Sequence, residues 1–303
     1  MQTRTASPAV IRLSKGDRIF SIACNIILVL LMLLVLYPLV YIASASFSNS
    51  LAVVQGRVWL WPVEPTLEGY RAVLRSPAVP RGFVNSLYVM TVGTVINIVL
   101  TVMLAYPLSR KALYGRGLVM GIITFTMLFS GGLIPSFLLV RSVGFYNTYW
   151  ALIIPKAVSV YNVIVARTFF QTNIPDDLYE AATLDGCSDA RFLLRVVLPL
   201  STPILAVLVM FYAVGHWNAY FDAMIYLRDP AMKTLQVVLR DILIANQTST
   251  DMIKDVDAMA KQEGLALLLK YSLMVISSVP MLILYPFIQK HFVKGIMVGA
   301  LKG

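Results

Sequence analysis

Charged residues are scarce in this sequence. Only 13% of its 303 residues are Asp, Glu, Lys or Arg, whereas 58% are hydrophobic and the mean hydropathy is +0.77. A soluble domain carries about 25% charged residues, so the scarcity excludes an ordinary water-soluble fold and predicts a surface that largely faces lipid. The net charge of +10 indicates basic loops on the inner side of a membrane rather than nucleic-acid binding.

Residue types that catalyse reactions or bind metals are also few. The sequence has two cysteines, Cys24 and Cys187, and two histidines, His216 and His291. Two cysteines this far apart in the sequence define neither a disulfide framework nor a metal site. The sequence also has no G-x-x-x-x-G-K-[ST] phosphate loop, the motif that binds nucleotide phosphates. We therefore predict no catalytic residue, no metal and no cofactor on this chain, so that any use of ATP requires a separate ATPase.

Long apolar runs are what the sequence has in abundance. A helix needs about 20 residues to cross a hydrocarbon core of about 30 Å. Runs of this kind predict spans over 19–46, 83–108, 118–140, 150–170, 198–227 and 266–288. The predicted fold class is an all-α integral membrane protein with six transmembrane helices. A cleavable signal peptide is an alternative for the first run, because Ala43-Ser44-Ala45 matches a cleavage site, but the length of the run favours an uncleaved span.

The distribution of basic residues predicts the topology. Segments 1–18, 109–117, 171–197 and 290–303 contain 4, 3, 2 and 3 Lys or Arg residues. Cytoplasmic loops carry an excess of these residues, so both termini are predicted to be cytoplasmic. The chain then divides into a cytoplasmic N-terminal tail (1–18), a six-span membrane domain (19–289) and a cytoplasmic C-terminal tail (290–303).

The connections between spans carry further signals. Prolines break the loop after the first span, with a short helix predicted near 67–74, and helical spacing of aliphatic residues from Leu235 to Ile242 predicts an amphipathic helix. Residues 251–263 are predicted to be a solvated connector. Two adjacent glycines in the third span, together with Pro135, are expected to loosen that helix.

The loop between the fourth and fifth spans has helix signals of its own. Pro175 suits a first helical position, the two aspartates after it suit the first turn, and Gly186 suits a left-handed cap. Ser188 is a candidate N-cap of a second short helix that Pro199 would close. We therefore expect a structured cytoplasmic loop whose first helix, 175–186, has a face of small residues that another protein could approach closely.

This loop resembles the EAA loop of binding-protein-dependent ABC importer permeases. That family's pattern is Glu-Ala-Ala, three residues, Gly, nine residues, an aliphatic residue, one residue and Leu-Pro. The matching residues, with every spacing intact, are Glu180, Ala181, Ala182, Gly186, Val196, Leu198 and Pro199. The resemblance implies a coupling loop between helices 4 and 5 that docks into a cleft on a cytoplasmic ATPase. The coupling residues that it implies are Asp177, Glu180, Ala181, Ala182, Asp185, Gly186, Leu198 and Pro199.

Over nearly its whole length the chain is similar to the MalG-type permeases of carbohydrate importers. The supporting residues are the Trp217-Asn218 pair and a C-terminal tail whose implied ATPase contacts are Lys294, Gly295 and Lys302. Segments 129–135 and 147–152 resemble a subgroup that handles complex and sometimes acidic oligosaccharides, such as uronate oligomers. The resemblance implies a permease subunit of an ATP-driven importer, which translocates an oligosaccharide delivered by a solute-binding protein.

The resemblance also implies a set of partners. These are a second homologous permease subunit, two ABC ATPase subunits that bind ATP and Mg²⁺, an extracytoplasmic solute-binding protein and the lipid of a bacterial cytoplasmic (inner) membrane. No nucleic acid is expected. A secondary carrier or channel would work without an ATPase and would usually show buried carboxylates along its spans, for which only Asp222 is a candidate. A membrane-embedded enzyme would need clustered His, Asp or Glu within the spans.

Two groups of polar residues are candidates for the substrate pathway. The outer half of the fifth span combines aromatic rings with hydrogen-bonding groups, which suits a sugar, although an interfacial aromatic belt would have the same composition. One face of the second span carries Thr94, Asn97 and Thr101, which could instead form hydrogen bonds between helices. The candidate pathway residues are Asn97, Tyr212, His216, Trp217, Asn218, Tyr220 and Asp222.

Overall fold

The computed structural model describes residues 14–249 and 256–300, and all regular structure in these ranges is helical. The chain divides into two compact units, 1–70 with 255–272 and 71–254 with 273–303. We describe each unit separately. Of the predicted N-terminal tail, residues 1–13 lie outside the described ranges, as do residues 250–255 and 301–303.

The first unit contains the long helix α1, Lys15–Ser46, and the short helix α2, Ser50–Val54. A capping box begins α1, because the amide of Asp17 donates to Ser14 Oγ at 3.2 Å and the amide of Ser14 donates to Asp17 Oδ2 at 3.1 Å. The apolar part of α1 has no buried residues. Its side chains are therefore free to face lipid, as the sequence predicts for a span.

Helix α4, Ala78–Ser109, is the central element of the second unit. It follows α3, Glu68–Arg75, the short helix predicted near 67–74. Three later helices pack against α4, namely α8, α12 and α14. A stripe of small and polar side chains makes this close packing possible. The buried residues of the stripe include Ser86, Gly93, Thr94, Asn97, Thr101 and Ala105.

The third predicted span is not one straight helix. Helices α5, Arg116–Leu128, and α6, Leu133–Ser142, meet at an angle of 114°. The break falls at residues 129–132, and Gly132 has a φ of +84°, which L-residues with side chains rarely adopt. The adjacent glycines therefore do more than loosen the helix, since they turn the chain sharply.

The fourth and fifth predicted spans, 150–170 and 198–227, are also interrupted rather than single helices. Helix α7, Trp150–Ile153, continues into a 3₁₀ turn, Ile154–Lys156, and is bent by 52° from α8, Val160–Asn173. In the fifth, α12 ends at Trp217 and the short helix α13, Phe221–Tyr226, begins only after a three-residue break. Pro155 has no amide hydrogen to donate, which contributes to the break in the fourth predicted span.

Two expectations about the loop between α8 and α12 need correction by a few residues. The first loop helix, α9, is Asp176–Leu184, with Pro175 as its N-cap rather than its first helical residue. Ser188 is the N-cap of α10, Asp189–Phe192, as predicted, but Pro199 does not close the segment. The chain passes through a wide π turn and α11, Leu198–Leu200, before an 82° bend into α12, Thr202–Trp217. The π turn accommodates a proline that cannot donate a backbone hydrogen bond.

Two helices, α14 and α15, form the C-terminal part of the chain that the structure describes. The amphipathic helix predicted around Leu235–Ile242 is α14, Leu235–Ser249. Helix α15 is Val256–Ala300, so most of the predicted connector 251–263 and most of the predicted C-terminal tail are helical. By length and composition three helices could cross a membrane, or up to six if each bent pair forms one span.

Gly93 allows α4 and α12 to pack closely. A Cβ atom at this position would lie 2.5 Å from Nε2 and 2.7 Å from Cε1 of His216. We expect Gly93→Ala to destabilise the protein by about 1–3 kcal/mol, measured by thermal unfolding in detergent. Gly121→Ala in α5 is the control, because a Cβ there meets no atom within 4 Å. A second change, His216→Ala, should restore stability, and failure of this rescue would contradict the explanation.

Candidate functional site

The loop between α8 and α12 is held by a hydrophobic core rather than projecting freely. Ile174, Phe192 and Val197 are at most 3% exposed. They belong to a core that α4, α8 and α12 share, and Tyr179 and Ala182 of α9 pack against it. One face of α9 is thus fixed to the helices of the second unit, and its other face is left for contact with another protein.

Arg110, the residue that follows α4, fastens this loop. Its guanidinium carbon lies 5.0 Å from the ring centroids of both Tyr106 and Tyr179 and 5.2 Å from that of Phe192. Its Nη1 is 3.9 Å from Asp176 Oδ1, and the side chain is only 15% exposed. Cation–π contacts are strongest when the cation is removed from water, so Arg110 joins α4, α9 and α10 at one point.

Exposed charges surround this cluster. Lys111 Nζ lies 2.8 Å from Asp176 Oδ2, and the hydrogen bond and charge of Lys111 lower the pKa of Asp176. The pair therefore contributes at any pH above the ordinary Asp value of about 4 and is lost as the pH falls below it. The Tyr179 hydroxyl donates to Asp189 Oδ1 at 2.7 Å, which raises the pKa of Tyr179. Neither interaction titrates near neutral pH.

The end of α9 has the geometry of a Schellman motif. The amide of Cys187 donates to the carbonyl of Ala182 at 2.9 Å, and that of Gly186 donates to Thr183 at 3.0 Å. Gly186 has a φ of +73°, which confirms the predicted left-handed cap. A Cβ at this position would meet no atom of this chain within 4 Å. The backbone angle, rather than crowding inside the chain, is therefore what requires glycine.

Most of the predicted coupling residues lie on the free surface of the loop. Asp177, Glu180, Ala181, Asp185, Gly186 and Pro199 are exposed, whereas Ala182 and Leu198 are half-buried against the core. Glu180 also lines a cleft of about 610 Å³ beside Arg110. Sequence reasoning missed Leu184, which is 90% exposed at the end of α9. A large apolar residue at the end of a polar loop helix, next to its glycine cap, is the sequence signal that could have identified it.

A second candidate site is a cavity of about 420 Å³ formed where the fourth and fifth predicted spans are broken. Four of the candidate pathway residues line it, namely Asn97, Tyr212, His216 and Asp222. Lys156, which follows the break in the fourth span, donates a hydrogen bond to Asp222 and forms an ion pair with it. Sequence reasoning did not place Lys156 in this site, and the ion pair gives it a defined partner.

Side chains from α4 and α12 satisfy the backbone at this break. Asn97 Nδ2 donates to the carbonyl of Lys156 at 3.2 Å, and the amide of Ser159 donates to the Tyr212 hydroxyl at 3.2 Å. That hydroxyl also lies 2.6 Å from Thr101 Oγ1. Asn97 and Thr101 are thus buried and hydrogen-bonded between helices, as one of the two interpretations expects. Asn97 also lines the cavity, and its place on a substrate pathway stays a prediction.

Three other candidate pathway residues lie elsewhere. Trp217 is 2% exposed, packs edge-on against Phe83 and donates from Nε1 to the carbonyl of Ser277 at 2.9 Å. Asn218 and Tyr220 are exposed in the break and are not among the residues that line the cavity. Of the predicted tail contacts, Lys294 and Gly295 lie in helix α15. Lys302 lies outside the residues that the structure describes.

Known proteins match this arrangement in sequence and fold. Residues 97–298 match the family described as binding-protein-dependent transport system inner membrane component. The chain is 39% identical over 288 residues to the Bacillus subtilis polygalacturonan/rhamnogalacturonan transport system permease protein YtcP, covering 95% of this chain and 99% of that protein. It is 38% identical over 292 residues to protein LplC of the same organism, covering 96% and 97%.

A solved structure agrees. The chain matches a bacterial ABC transporter involved in the import of the acidic polysaccharide alginate, with a TM-score of 0.83 and 33% identity, covering 93% of this chain and 99% of that one. The chain therefore belongs to the family of binding-protein-dependent transport system inner membrane components. It is an inner-membrane permease subunit of an ABC importer, a translocation component rather than an enzyme.

Arg110 provides a test of how the loop is held. We expect Arg110→Met to speed amide hydrogen exchange in residues 176–189 by roughly tenfold or more, because the desolvated cation–π contacts are lost. Lys111→Met is the matched control, since Lys111 pairs with the same Asp176 but its side chain is 79% exposed. Exposed ion pairs contribute little, so exchange should change less than about twofold. Equal effects of the two substitutions would contradict the role given to Arg110.

Proposed function

We propose that this permease imports an acidic oligosaccharide, such as a uronate oligomer, which a solute-binding protein delivers. Two of its relatives support this cargo, one named for polygalacturonan and rhamnogalacturonan and one for the acidic polysaccharide alginate. The cavity at the helix breaks supports it too, because it combines aromatic rings, hydrogen-bonding groups and a cationic side chain. A secondary carrier or channel is the less favoured alternative, since neither would need an exposed loop of the EAA pattern.

We further propose the six-span topology predicted from the sequence, in which both termini and the loop containing α9 are cytoplasmic. The division into tails 1–18 and 290–303 and a permease domain 19–289 belongs to the same proposal. Broken helices occur within membranes where they line a cavity or are buried in protein, which is the situation of the break at Lys156. The density of basic residues in the predicted inner segments supports the orientation.

The proposed machine couples ATP hydrolysis to transport through α9. ATP and Mg²⁺ bind to two partner ATPase subunits, and a second homologous permease completes the path. The exposed face around Glu180 and Ala181 docks on an ATPase, with Lys294, Gly295 and Lys302 of the tail as a further contact. Movement of the ATPases is transmitted through a loop that is packed firmly enough to move as one body. The observation that carries this proposal is the spaced EAA pattern on a loop fastened to α4.

Cys187 offers a direct test of sidedness, because it lies next to Gly186 and only one other cysteine exists in the chain. In a Cys24→Ser protein, a membrane-impermeant maleimide should label Cys187 in inverted vesicles but not in intact cells. Added ATPase subunit should slow the labelling. A cysteine at the 80% exposed Trp61, in a protein lacking both native cysteines, should show the opposite sidedness. Labelling of Cys187 from outside would refute the topology.

Two substitutions at Gly186 distinguish the effect of backbone geometry from the effect of docking on an ATPase. Gly186→Val should weaken the loop by about 1–2 kcal/mol, since β-branched residues avoid positive φ. Asparagine tolerates this conformation, so Gly186→Asn should keep the fold while adding a side chain to the docking face. We expect Gly186→Asn complexes to assemble but to lose most ATP-driven uptake in proteoliposomes.

Gly56 is the matched control for this test. It has a φ of +67° and, like Gly186, no atom within 4 Å of an added Cβ, but it lies in the loop that is proposed to be external. Gly56→Asn should therefore leave uptake unchanged. Normal uptake by the Gly186→Asn complex would show that this face does not dock closely on an ATPase.

A further inference from the structure

The ion pair between Lys156 and Asp222 is built from two separate helix breaks. Lys156 is the last residue of the 3₁₀ turn after α7, and Asp222 lies in the first turn of α13. Of the described residues that line the cavity, these two carry full charges. Ionisable residues within membrane spans are costly to place and are commonly functional, so a pair assembled from two interrupted helices requires an explanation beyond stability.

The two partners differ in exposure in a way that favours exchange. The side chain of Lys156 is 67% exposed, whereas that of Asp222 is 18% exposed. A lysine ammonium is a compact charge on a flexible stem, and it can move toward another anion without movement of the backbone. Asp222 is held in the wall of the cavity, so Lys156 is the mobile member of the pair.

The rest of the lining offers groups that a sugar acid would use. Asn97 is 1% exposed, and its Oδ1 has no hydrogen-bond partner although its Nδ2 is bonded. A buried acceptor without a partner is unfavourable, so Oδ1 would accept a hydrogen bond from a sugar hydroxyl if the cavity opened to expose it. The rings of Tyr161 and Phe211, with centroids 6.1 Å apart, are 57% and 39% exposed and offer surfaces for the C–H faces of a sugar.

We propose that Lys156 and Asp222 form an exchangeable pair that recognises the carboxylate of a uronate unit during passage. When the substrate enters, Lys156 moves from Asp222 to the substrate carboxylate. Asp222 then accepts hydrogen bonds from sugar hydroxyls, so its charge keeps partners in both states. This inference rests on the proposed import of an acidic oligosaccharide and assigns the charge recognition within the permease to one residue.

The test compares a uronate oligomer with its neutral methyl ester, which keeps the sugar rings and removes the charge. Uptake of trigalacturonate and of its methyl ester is measured in proteoliposomes that contain the whole complex, with the same solute-binding protein throughout. A change in the acid-to-ester uptake ratio between variants then belongs to the permease. We expect Lys156→Gln to lower uptake of the acid about tenfold, the loss of one charge-assisted hydrogen bond, and to change uptake of the ester little.

Two further variants separate recognition from structural support. Lys156→Arg should keep a preference for the acid, because the cation is retained. The charge swap Lys156→Asp with Asp222→Lys restores an ion pair but puts a carboxylate at the exposed position, so it should maintain ester uptake and not restore acid uptake. Lys233→Gln is the control for loss of a cation, since Lys233 pairs with Asp241 at 2.7 Å outside this cavity. It should leave the uptake ratio unchanged.

The outcomes distinguish failure of the ion-pair proposal from failure of the proposed import of an acidic oligosaccharide. If Lys156→Gln lowers acid and ester uptake equally, or if the charge swap restores acid uptake, the pair is structural and the inference fails while acidic import stands. If the wild-type complex imports the ester and not the acid, or imports neither, the proposed cargo itself is refuted and the inference falls with it.

Discussion

A backbone in the hydrocarbon region of a membrane must find a partner for every N–H and carbonyl group, and this requirement governs the second unit. The break between α7 and α8 frees such groups, and side chains from two other helices bond to them. Asn97 of α4 bonds to the carbonyl of Lys156, and Tyr212 of α12 bonds to the amide of Ser159. These two hydrogen bonds offset part of the cost of the break, beside which the cavity lies.

Tyr212 also relates the two candidate sites physically. Its ring belongs to the hydrophobic core in which Phe192 and Val197 of the loop between α8 and α12 are buried, and its hydroxyl reaches the break beside the cavity. The loop and the cavity are therefore parts of one packed body rather than separate attachments. Close-packed interiors transmit displacement with little compression, so a movement imposed on α9 would reach the helices around the cavity. The structure supplies this connection through packed side chains.

The sequence was most informative where the signals are local. Spacing, caps and polarity predicted the loop between α8 and α12, because the residues that define α9 and its glycine cap lie within one segment. Arg110 could not be identified in this way, since Tyr106, Tyr179 and Phe192 come together only in the folded chain. The breaks in the fourth and fifth predicted spans were missed for a related reason, because hydrophobic runs look alike whether or not tertiary partners interrupt them. The break in the third predicted span had a local signal in its adjacent glycines. Trp217 shows the consequence, because α12 ends at this residue and its indole is buried against neighbouring helices.

Helix α1 differs from these helices in what stabilises it. It is 32 residues long, about 48 Å at 1.5 Å per residue, and its apolar window contains no buried residue. The partition of this apolar part into the bilayer therefore depends on its own hydropathy. Such a segment can enter the membrane as soon as it leaves the ribosome, before the helices that enclose the cavity have been made. It is suited to start the insertion of the protein, and its excess length over the hydrocarbon core favours a tilted orientation.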